Sequence, residues 1–378
     1  MSRFIQLHIL TSYPASNLNR DDLGRPKTVI MGDPQRLRVS SQSLKRAWRT
    51  SEVFQDALAG NLGIRTKEIG KYVYRALLNG AALADVLKDF DAAGSLARLK
   101  DKDALAIGRS IGGVFGKLKP EAKKKDADEQ TRMESLETEQ LAHLSPEELK
   151  LASALVEECR ESGKEPSTEQ LELLCRDCSA ADVALFGRML ASSNRHNIEA
   201  AAQVAHAMTV HKAAVEDDFF TAVDDLNRDD AGAGHLGVTE FGAGLFYLYL
   251  CVDRELLKEN LGGDAGLADR AVAALVNAAC TVSPSGKQNS FGSRAWASYC
   301  LAEKGDIQPR NLSVAYLKPL GSSDRYGEKP DSITVEGAVK RLEDQRTRFN
   351  EIYNVEVDSC SFGPAGGTIA DVLDFIRE

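Results

Sequence analysis

The sequence predicts an α+β fold in which a core of strands and helices is interrupted by two insertions. Apolar and polar residues alternate over residues 4–10, which is the period of a half-buried strand. Helix-forming residues dominate from about residue 52 to residue 185, which indicates a large helical insertion. Two strand-like arms then flank a tip that contains Gly232 and Gly234, which is typical of a protruding hairpin. Strands and helices alternate outside these two insertions. The simplest architecture for them is a ferredoxin-like (βαββαβ) core.

The other elements follow from local periodicity and from turn residues. A polar loop is expected over residues 11–38, and a helix is expected to begin near Leu44, after serines that can cap it. The strands predicted in the second half of the chain lie at 244–253, 295–301 and 312–317. The helices predicted there lie at 198–211, 267–280, 335–353 and 369–376.

The composition indicates a soluble globular protein, with 43% hydrophobic and 27% charged residues. The longest clearly apolar stretch, Leu245 to Val252, is much shorter than the roughly 20 residues that cross a bilayer, so no membrane partner is expected. The seven cysteines are an odd number, and the N-terminus lacks a secretory pattern. These features indicate reduced thiols and a cytoplasmic location.

Charge is distributed unevenly along the chain. The net charge is −9, but residues 20–49 contain eight basic and three acidic side chains, a local charge of +5. The basic residues are Arg20, Arg25, Lys27, Arg36, Arg38, Lys45, Arg46 and Arg49. A basic segment in an otherwise acidic protein is typical of a local site that binds a polyanion. A solvated basic loop explains the charge equally well.

The helix predicted after this loop has two distinct faces. Leu44, Ala47 and Trp48 share one face, whereas Lys45 and Arg49 lie four residues apart on another. Serine hydroxyls, backbone N–H groups and the positive end of the helix dipole then form a phosphate site beside those cations. Capping serines next to ordinary solvated cations would explain the helix, but not the density of basic residues before it.

Motifs that carry catalysis are scarce. The sequence contains no P-loop, no GxGxxG after a strand and no HExxH. The pair Cys175 and Cys178 forms a lone CxxC, and no second pair lies nearby to complete the four ligands of a zinc site. The sequence therefore predicts no catalytic residue, no metal and no cofactor.

Two adjacent aromatic residues, Phe219 and Phe220, lie on the first arm of the predicted hairpin. Neighbouring side chains on a strand point to opposite faces, so at least one is expected to be exposed. An exposed aromatic ring can stack on a nucleobase, an interaction of about 1–3 kcal/mol that tolerates any base. A local hydrophobic anchor for the hairpin is the alternative.

Several stretches of the chain together resemble one protein family. They are Leu18–Asp22, Arg38–Ala47, Gly187–Met189, Phe220–Leu226, His235–Gly237 with Glu240–Phe241, and Gly286–Gln288. In this order, they are similar to the CasC family of the RAMP superfamily, the CRISPR RNA-binding backbone subunits of the type I-E CRISPR Cascade surveillance complex.

The resemblance implies a fold described as palm, fingers and thumb. The palm is a modified RNA-recognition motif, the fingers are the helical insertion, and the thumb is the hairpin. The implied boundaries are palm at 1–59, 183–211 and 244–378, fingers at 60–182 and thumb at 212–243. Such subunits are not enzymes. They polymerise head to tail as a helical filament along the guide, and each thumb kinks the RNA that its neighbour binds.

The resemblance also implies roles for particular residues. The guide backbone would be bound by Arg20, Lys27, Ser40, Gln42, Lys45, Arg46, Arg49, Lys287 and Gln288. The kink and its displaced base would be contacted by Met189, Phe219, Phe220 and Thr221. Phe219 stands where a tryptophan is common and Arg49 where a lysine is, and both substitutions keep the chemistry.

The implied partners are CRISPR RNA, target DNA paired to the guide, further copies of the chain, and other Cascade subunits. Those subunits are the large subunit, the small subunits, the 5′-handle cap subunit and the 3′-hairpin endoribonuclease. One alternative is a metal-dependent RNA endonuclease that uses Asp33, as in type III backbone subunits, although one carboxylate is a thin metal site. Another is an acidic scaffold that binds only proteins.

Overall fold

The computed structural model describes residues 2–120, 129–175, 179–191, 193–223, 233–322 and 332–378, and its fold is α+β as predicted. The chain divides into two compact units. The first, here called the sheet unit, comprises Met1–Ala57, Ala202–Glu255 and Asp269–Glu378. The second, the helical unit, comprises Leu58–Ala201 and Leu256–Ala268. Residues 183–201 are grouped with the helical unit, and the finer boundaries of palm, fingers and thumb stay predictions.

The strands are β1 (Phe4–Ser16), β2 (Thr28–Ile30), β3 (Gln35–Val39), β4 (Ile64–Thr66), β5 (Ala142–Leu144), β6 (Ala202–Val204), β7 (Ala207–Thr209), β8 (Glu216–Val223), β9 (Ala233–Asp253), β10 (Ala297–Gly305) and β11 (Asp358–Phe362). The helices are α1 (Ser41–Arg49), α2 (Glu52–Ala57), α3 (Ile69–Asn79), α4 (Leu83–Val86), α5 (Asp101–Val114), α6 (Glu129–Glu134), α7 (Pro146–Ser162), α8 (Ala181–Phe186), α9 (Arg254–Asn260), α10 (Ala265–Thr281), α11 (Gln288–Phe291), α12 (Val335–Tyr353) and α13 (Ile369–Arg377). Among these described residues, no helix combines the length and apolar character needed to cross a bilayer.

An antiparallel sheet organises the sheet unit. Its strands run in the order β11-β10-β1-β9-β7-β3-β2, and β6 and β8 also pair with the long strand β9. Strand β1 lies between β9 and β10, and both of its faces are covered, so residues 5–10 are all buried. The expectation of a half-buried strand was therefore wrong. The polar side chains of Gln6 and His8 tolerate burial because Tyr249, Tyr247 and Glu303 hydrogen-bond to them.

Several segments differ from the predicted secondary structure. Residues 198–211, predicted as a helix, instead contain the short strands β6 and β7, because β9 offers them a hydrogen-bonding edge that outweighs their Ala-rich composition. Residues 313–316, predicted as part of a strand, form a 3₁₀ turn that buries Ala315 and Tyr316. The loop predicted over 11–38 contains the end of β1 and the hairpin of β2 and β3.

Other predicted elements are confirmed. Helices α10, α12 and α13 cover the segments predicted as helical, and β9 and β10 include or overlap the strands predicted at 244–253 and 295–301. The predicted hairpin is also present, because β8 pairs with β9 in the register Phe219↔Val238 and Phe220↔Gly237. The predicted tip around Gly232, and the matched residues 224–226, lie outside the described residues.

The helical unit has its own core, which α3, α5 and α7 share. Gly70 and Gly108 let α3 and α5 approach closely, since a Cβ on Gly70 would lie 2.9 Å from the carbonyl oxygen of Gly108. Helix α7 begins with a capping box between Ser145 and Glu148 and ends at Gly163, which has a positive φ of 63°. The sequence prediction of a helical insertion is confirmed by this unit.

Candidate nucleic-acid interface

Helix α1 presents cations on one face and is anchored by the other. It begins at Ser41, three residues before the predicted start, with Ser40 as the N-cap whose hydroxyl accepts from the N–H of Ser43 at 3.4 Å. Leu44 and Trp48 are buried, as predicted. Lys45 and Arg49, which were predicted to lie on another face of the helix, are half-buried and lie beside exposed Gln42 and Arg46.

Asn19 joins the basic loop to the start of α1. Its side-chain oxygen accepts from the N–H of Ser40 at 2.9 Å, and its carbonyl accepts from the N–H of Lys27 at 2.8 Å. The carbonyl of Lys27 in turn accepts from the N–H of Arg38 at 2.8 Å. The side chain and backbone of Asn19, together with the backbone of Lys27, thus place Lys27, Ser40 and Arg38 next to one another without adding a competing charge.

The loop that carries Arg20 is stabilised by its own acidic residue. The carboxylate of Asp21 accepts from the N–H groups of Leu23 and Arg25 at 3.0 and 2.9 Å, which closes a tight turn. The buried side chain of Asn17 donates to the carbonyls of Gly24 and Glu240 at 3.0 and 2.8 Å, which ties the turn to β9. Arg20 itself is exposed.

The structure does not leave all eight basic residues available to a ligand. Arg36 is fully buried, and its guanidinium donates to the carbonyls of Thr209 and Tyr316 at 2.8 and 2.7 Å. Burial, followed by the charge of Arg341, lowers the pKa of Arg36. Arg25 forms an ion pair with Glu240 at 3.4 Å. The surface of this region therefore carries less positive charge than the local value of +5, because Arg36 is buried and supports the fold.

A second loop, far away in sequence, meets this region. A Cβ on Gly286 would lie 2.2 Å from the carbonyl oxygen of Leu18, so only glycine allows the two backbones to approach this closely. The next residue, Lys287, donates from Nζ to the hydroxyl of Thr239 on β9, and Gln288 donates to the carbonyl of Pro284 at 2.7 Å. The predicted residues Lys287 and Gln288 thus come to the same region as the Leu18–Asp22 motif.

An open polar cleft of about 500 Å³ lies where these segments meet. Its lining includes Arg20 from the first loop, Ser43 from α1, and Ser285 with Gly286 from the second loop. Because the ammonium group of Lys45 is partly desolvated, burial lowers its pKa. A partly desolvated cation interacts with an anion more strongly than a fully hydrated one does, because the local dielectric constant is lower.

The two hairpin phenylalanines differ in their surroundings. Phe219 is 63% exposed and lies opposite Val238, which is 64% exposed, on a face that Leu236 extends. The ring of Phe220 lies over Gly237 on the other face, where a Cβ would be 2.3 Å from its Cζ. Phe219 thus belongs to an exposed apolar face, whereas Phe220 packs on the backbone of the partner strand.

Met189 belongs to the helical unit and is 76% exposed. The residue before it, Arg188, is buried, and its Nη1 donates to both carboxylate oxygens of Glu148 at 2.8 Å. The residue after it, Leu190, is buried in the helical core. Because both neighbours are fixed, the exposed methionine has a defined position in this unit.

The family model of CT1975-like proteins matches residues 5–365, which is nearly the whole chain. The chain belongs to the CT1975-like protein family. Among solved structures, a chain of a "CRISPR RNA-guided surveillance complex, pre-nicking" is similar over 99% of both chains, with 29% identity and a TM-score of 0.78. A chain of another "CRISPR RNA-guided surveillance complex" has the same fold, with 24% identity and a TM-score of 0.58 over 99% of this chain and 98% of that one. No curated protein is significantly similar in sequence.

In this member of the family, the structure brings together most of the residues predicted to bind the guide. Arg20, Lys27, the α1 residues and Lys287 with Gln288 all lie in the sheet unit. Arg20 lines the cleft, Ser40 caps α1, and Arg46 and Arg49 lie in the last turn of α1. Phe219, Phe220 and Thr221 lie in the same unit, on β8, and Met189 lies in the other.

Sequence reasoning missed the residues that position this site. Asn17 and Asn19 organise the loop, and the only signal for Asn19 was its place within the Leu18–Asp22 motif. His206 lies within the segment predicted as a helix at 198–211, yet it is exposed and lies beside the start of α1. Nothing local indicates that position, since it depends on the pairing of β3 with β7.

Proposed function

We propose that the chain is a non-catalytic backbone subunit of a type I-E Cascade complex and that it binds CRISPR RNA through the sugar-phosphate backbone. The similarity to a chain of a CRISPR RNA-guided surveillance complex, over 99% of both chains, supports this proposal together with the family match. The role would be to present the guide for pairing with invading DNA.

The observation that carries the proposal is the convergence of donors and cations at the start of α1. Asn19 places Lys27 beside the capping Ser40, and Lys45 and Arg49 continue the cationic surface along the helix. Cations, hydroxyls and amides recognise phosphate and sugar, which every guide shares, rather than base edges. A subunit that must accept any guide sequence needs this chemistry.

The proposal extends to assembly. Copies would contact one another head to tail, and an open contact of this kind produces a helical filament that can follow a strand. Met189 would lie at each kink in the guide, and Phe219, Phe220 and Thr221 would flank the displaced base. The other partners would be target DNA and the remaining Cascade subunits, in the cytoplasm.

The first test is whether the full chain binds RNA without regard to sequence. Purified protein should carry RNA, seen as a raised ratio of absorbance at 260 nm to that at 280 nm, and should lose it in high salt. Fluorescence anisotropy should then give similar affinities for a labelled guide and for a shuffled RNA of equal length. Protein that neither carries nor binds RNA would support the protein-only scaffold instead.

A second test addresses the nuclease alternative. Among the described residues, no three His, Cys, Asp or Glu side chains are grouped so that they could hold a metal ion, and Asp33 is exposed. We expect RNA paired to the guide to stay intact when Mg²⁺ or Mn²⁺ is added. Cleavage by the wild type that Asp33→Asn abolishes would replace our proposal with the endonuclease.

A further inference from the structure

His206 lies beside the start of α1 because two strands pair there. The register of β3 with β7 places Val39 opposite Ala207, so that the residue before β7 comes next to the residue that begins α1. The Nδ1 atom of His206 lies 3.0 Å from Nη1 of Arg38 and 3.3 Å from the backbone nitrogen of Ser41. The side chain of His206 is exposed. The contact joins two residues that are 168 positions apart in the sequence.

These two contacts decide which ring nitrogen carries the proton. A guanidinium and a backbone N–H are both donors, so Nδ1 of His206 must accept, and the proton of the neutral ring is on Nε2. Partial burial, and then the charges of Arg38 and Lys27, lower the pKa of His206, which favours the same neutral form. A second proton on Nδ1 would also point at two donors.

The ring therefore has one donor left for a ligand. Within the part of the chain that the structure describes, Nε2 of His206 has no hydrogen-bond partner. The groups around the ring are the cations Arg38 and Lys27 and the backbone of Ser41, which together attract an anion. A neutral N–H donor next to two cations is suited to an acceptor oxygen of a sugar-phosphate chain.

We propose that His206 is a further guide-binding residue, which donates a hydrogen bond from Nε2 to a backbone oxygen of the RNA beside Lys27 and Arg38. This inference rests on the proposed function. It assigns His206 a role unlike that of the cations, because a neutral donor releases no counterions when it binds. Loss of His206 should therefore weaken binding at every salt concentration to the same extent.

Three substitutions separate ligand binding from a structural role. In His206→Gln, the amide nitrogen reaches the position of Nε2 and can replace the outward donor. In His206→Asn, the shorter side chain keeps an acceptor near Nδ1 for Arg38 and Ser41 but loses the outward donor. His206→Ala loses both groups, and Lys45→Ala with Arg49→Ala serves as the comparison for a charge effect.

The measurement is fluorescence anisotropy of the full chain with a labelled guide RNA across a salt series, alongside a thermal melt of each variant. We expect His206→Ala and His206→Asn to weaken binding by about three- to tenfold, the loss of one hydrogen bond, with the wild-type salt slope. His206→Gln should bind within about twofold of the wild type, since its donor is kept. A guide with 2′-deoxyriboses shows whether the acceptor is a ribose hydroxyl or a phosphate oxygen. If the acceptor is a ribose hydroxyl, His206→Ala should have no effect on the binding of this guide. If it is a phosphate oxygen, the effect of His206→Ala should remain.

Other outcomes would contradict either the role of His206 or the proposed function itself. If His206→Asn binds like the wild type while His206→Gln is weakened, the histidine only supports Arg38 and Ser41. If His206→Ala binds normally while the Lys45 and Arg49 variant is weakened, guide binding stands and the role of His206 is wrong. If the wild type binds no RNA, the proposed function itself fails.

Discussion

The cationic face of α1 makes the proposed function quantitatively testable. Lys45→Ala and Arg49→Ala together remove two cations that lie one helical turn apart, and they leave the buried Leu44 and Trp48 untouched. Alanine is the best helix former, so α1 should remain intact and the melting temperature should stay close to that of the wild type. The variant thus changes charge at the site without changing the fold.

The expected magnitude follows from counterion release. Each phosphate contact to single-stranded nucleic acid contributes about 0.7 to the slope of log K against log salt concentration, so two lost contacts reduce the slope by about 1.4. Between 50 and 200 mM salt, a slope difference of about 1.4 corresponds to a factor of about seven in relative affinity. The double variant should therefore be impaired most at low salt and approach the wild type as salt increases.

The assay is anisotropy of labelled guides of different sequence over that range of salt. The matched control is Lys340→Ala with Arg348→Ala, which removes the same charge from exposed positions of α12. We expect the α1 variant to lose affinity equally for all guides and the control to keep the wild-type slope. A loss that depends on guide sequence, or an unchanged slope in the α1 variant, would refute the phosphate assignment.

Three further predictions concern the hairpin and the two cores. Phe219→Ala should leave the melting temperature unchanged and should weaken target-strand binding by the assembled complex by about 1–3 kcal/mol per base. Phe220→Ala should instead loosen the hairpin, which would be seen as faster amide exchange in β8. Arg188→Met should lower the free energy of unfolding in urea by about 3–5 kcal/mol because it leaves Glu148 buried and charged, and adding Glu148→Gln should recover part of that loss. Burial opposes the ionisation of Glu303, but His8, Arg346 and Arg310 outweigh burial and lower the pKa of Glu303 from 4.5 to about 2. The stability that the ionised carboxylate contributes is therefore fully present above pH 4.5 and is lost as the pH falls towards 2. Urea melts of Glu303→Gln should show a weaker decline over that window; an identical decline would exclude Glu303 as a cause.

The sequence by itself determined the elements whose pattern is local. The spacing of Leu44, Trp48, Lys45 and Arg49 already separated a buried face from a cationic one, because side chains three and four residues apart share a helix face whatever packs against them. The same reasoning correctly identified α12, α13 and the two arms of the hairpin. The prediction that Phe219 or Phe220 is exposed is confirmed for the same reason, since neighbours on a strand must diverge.

Only the tertiary structure decided which of the local candidates surround the site. Arg36 and Arg38 are both basic residues of β3, yet one is buried under the carbonyls of Thr209 and Tyr316 while the other contacts His206. Residues 202–204 and 207–209 form strands because β9 supplies the edge that pairs with them. Such outcomes depend on hydrogen bonds between residues that are far apart in the chain, and no local periodicity encodes which distant backbone will supply the partner.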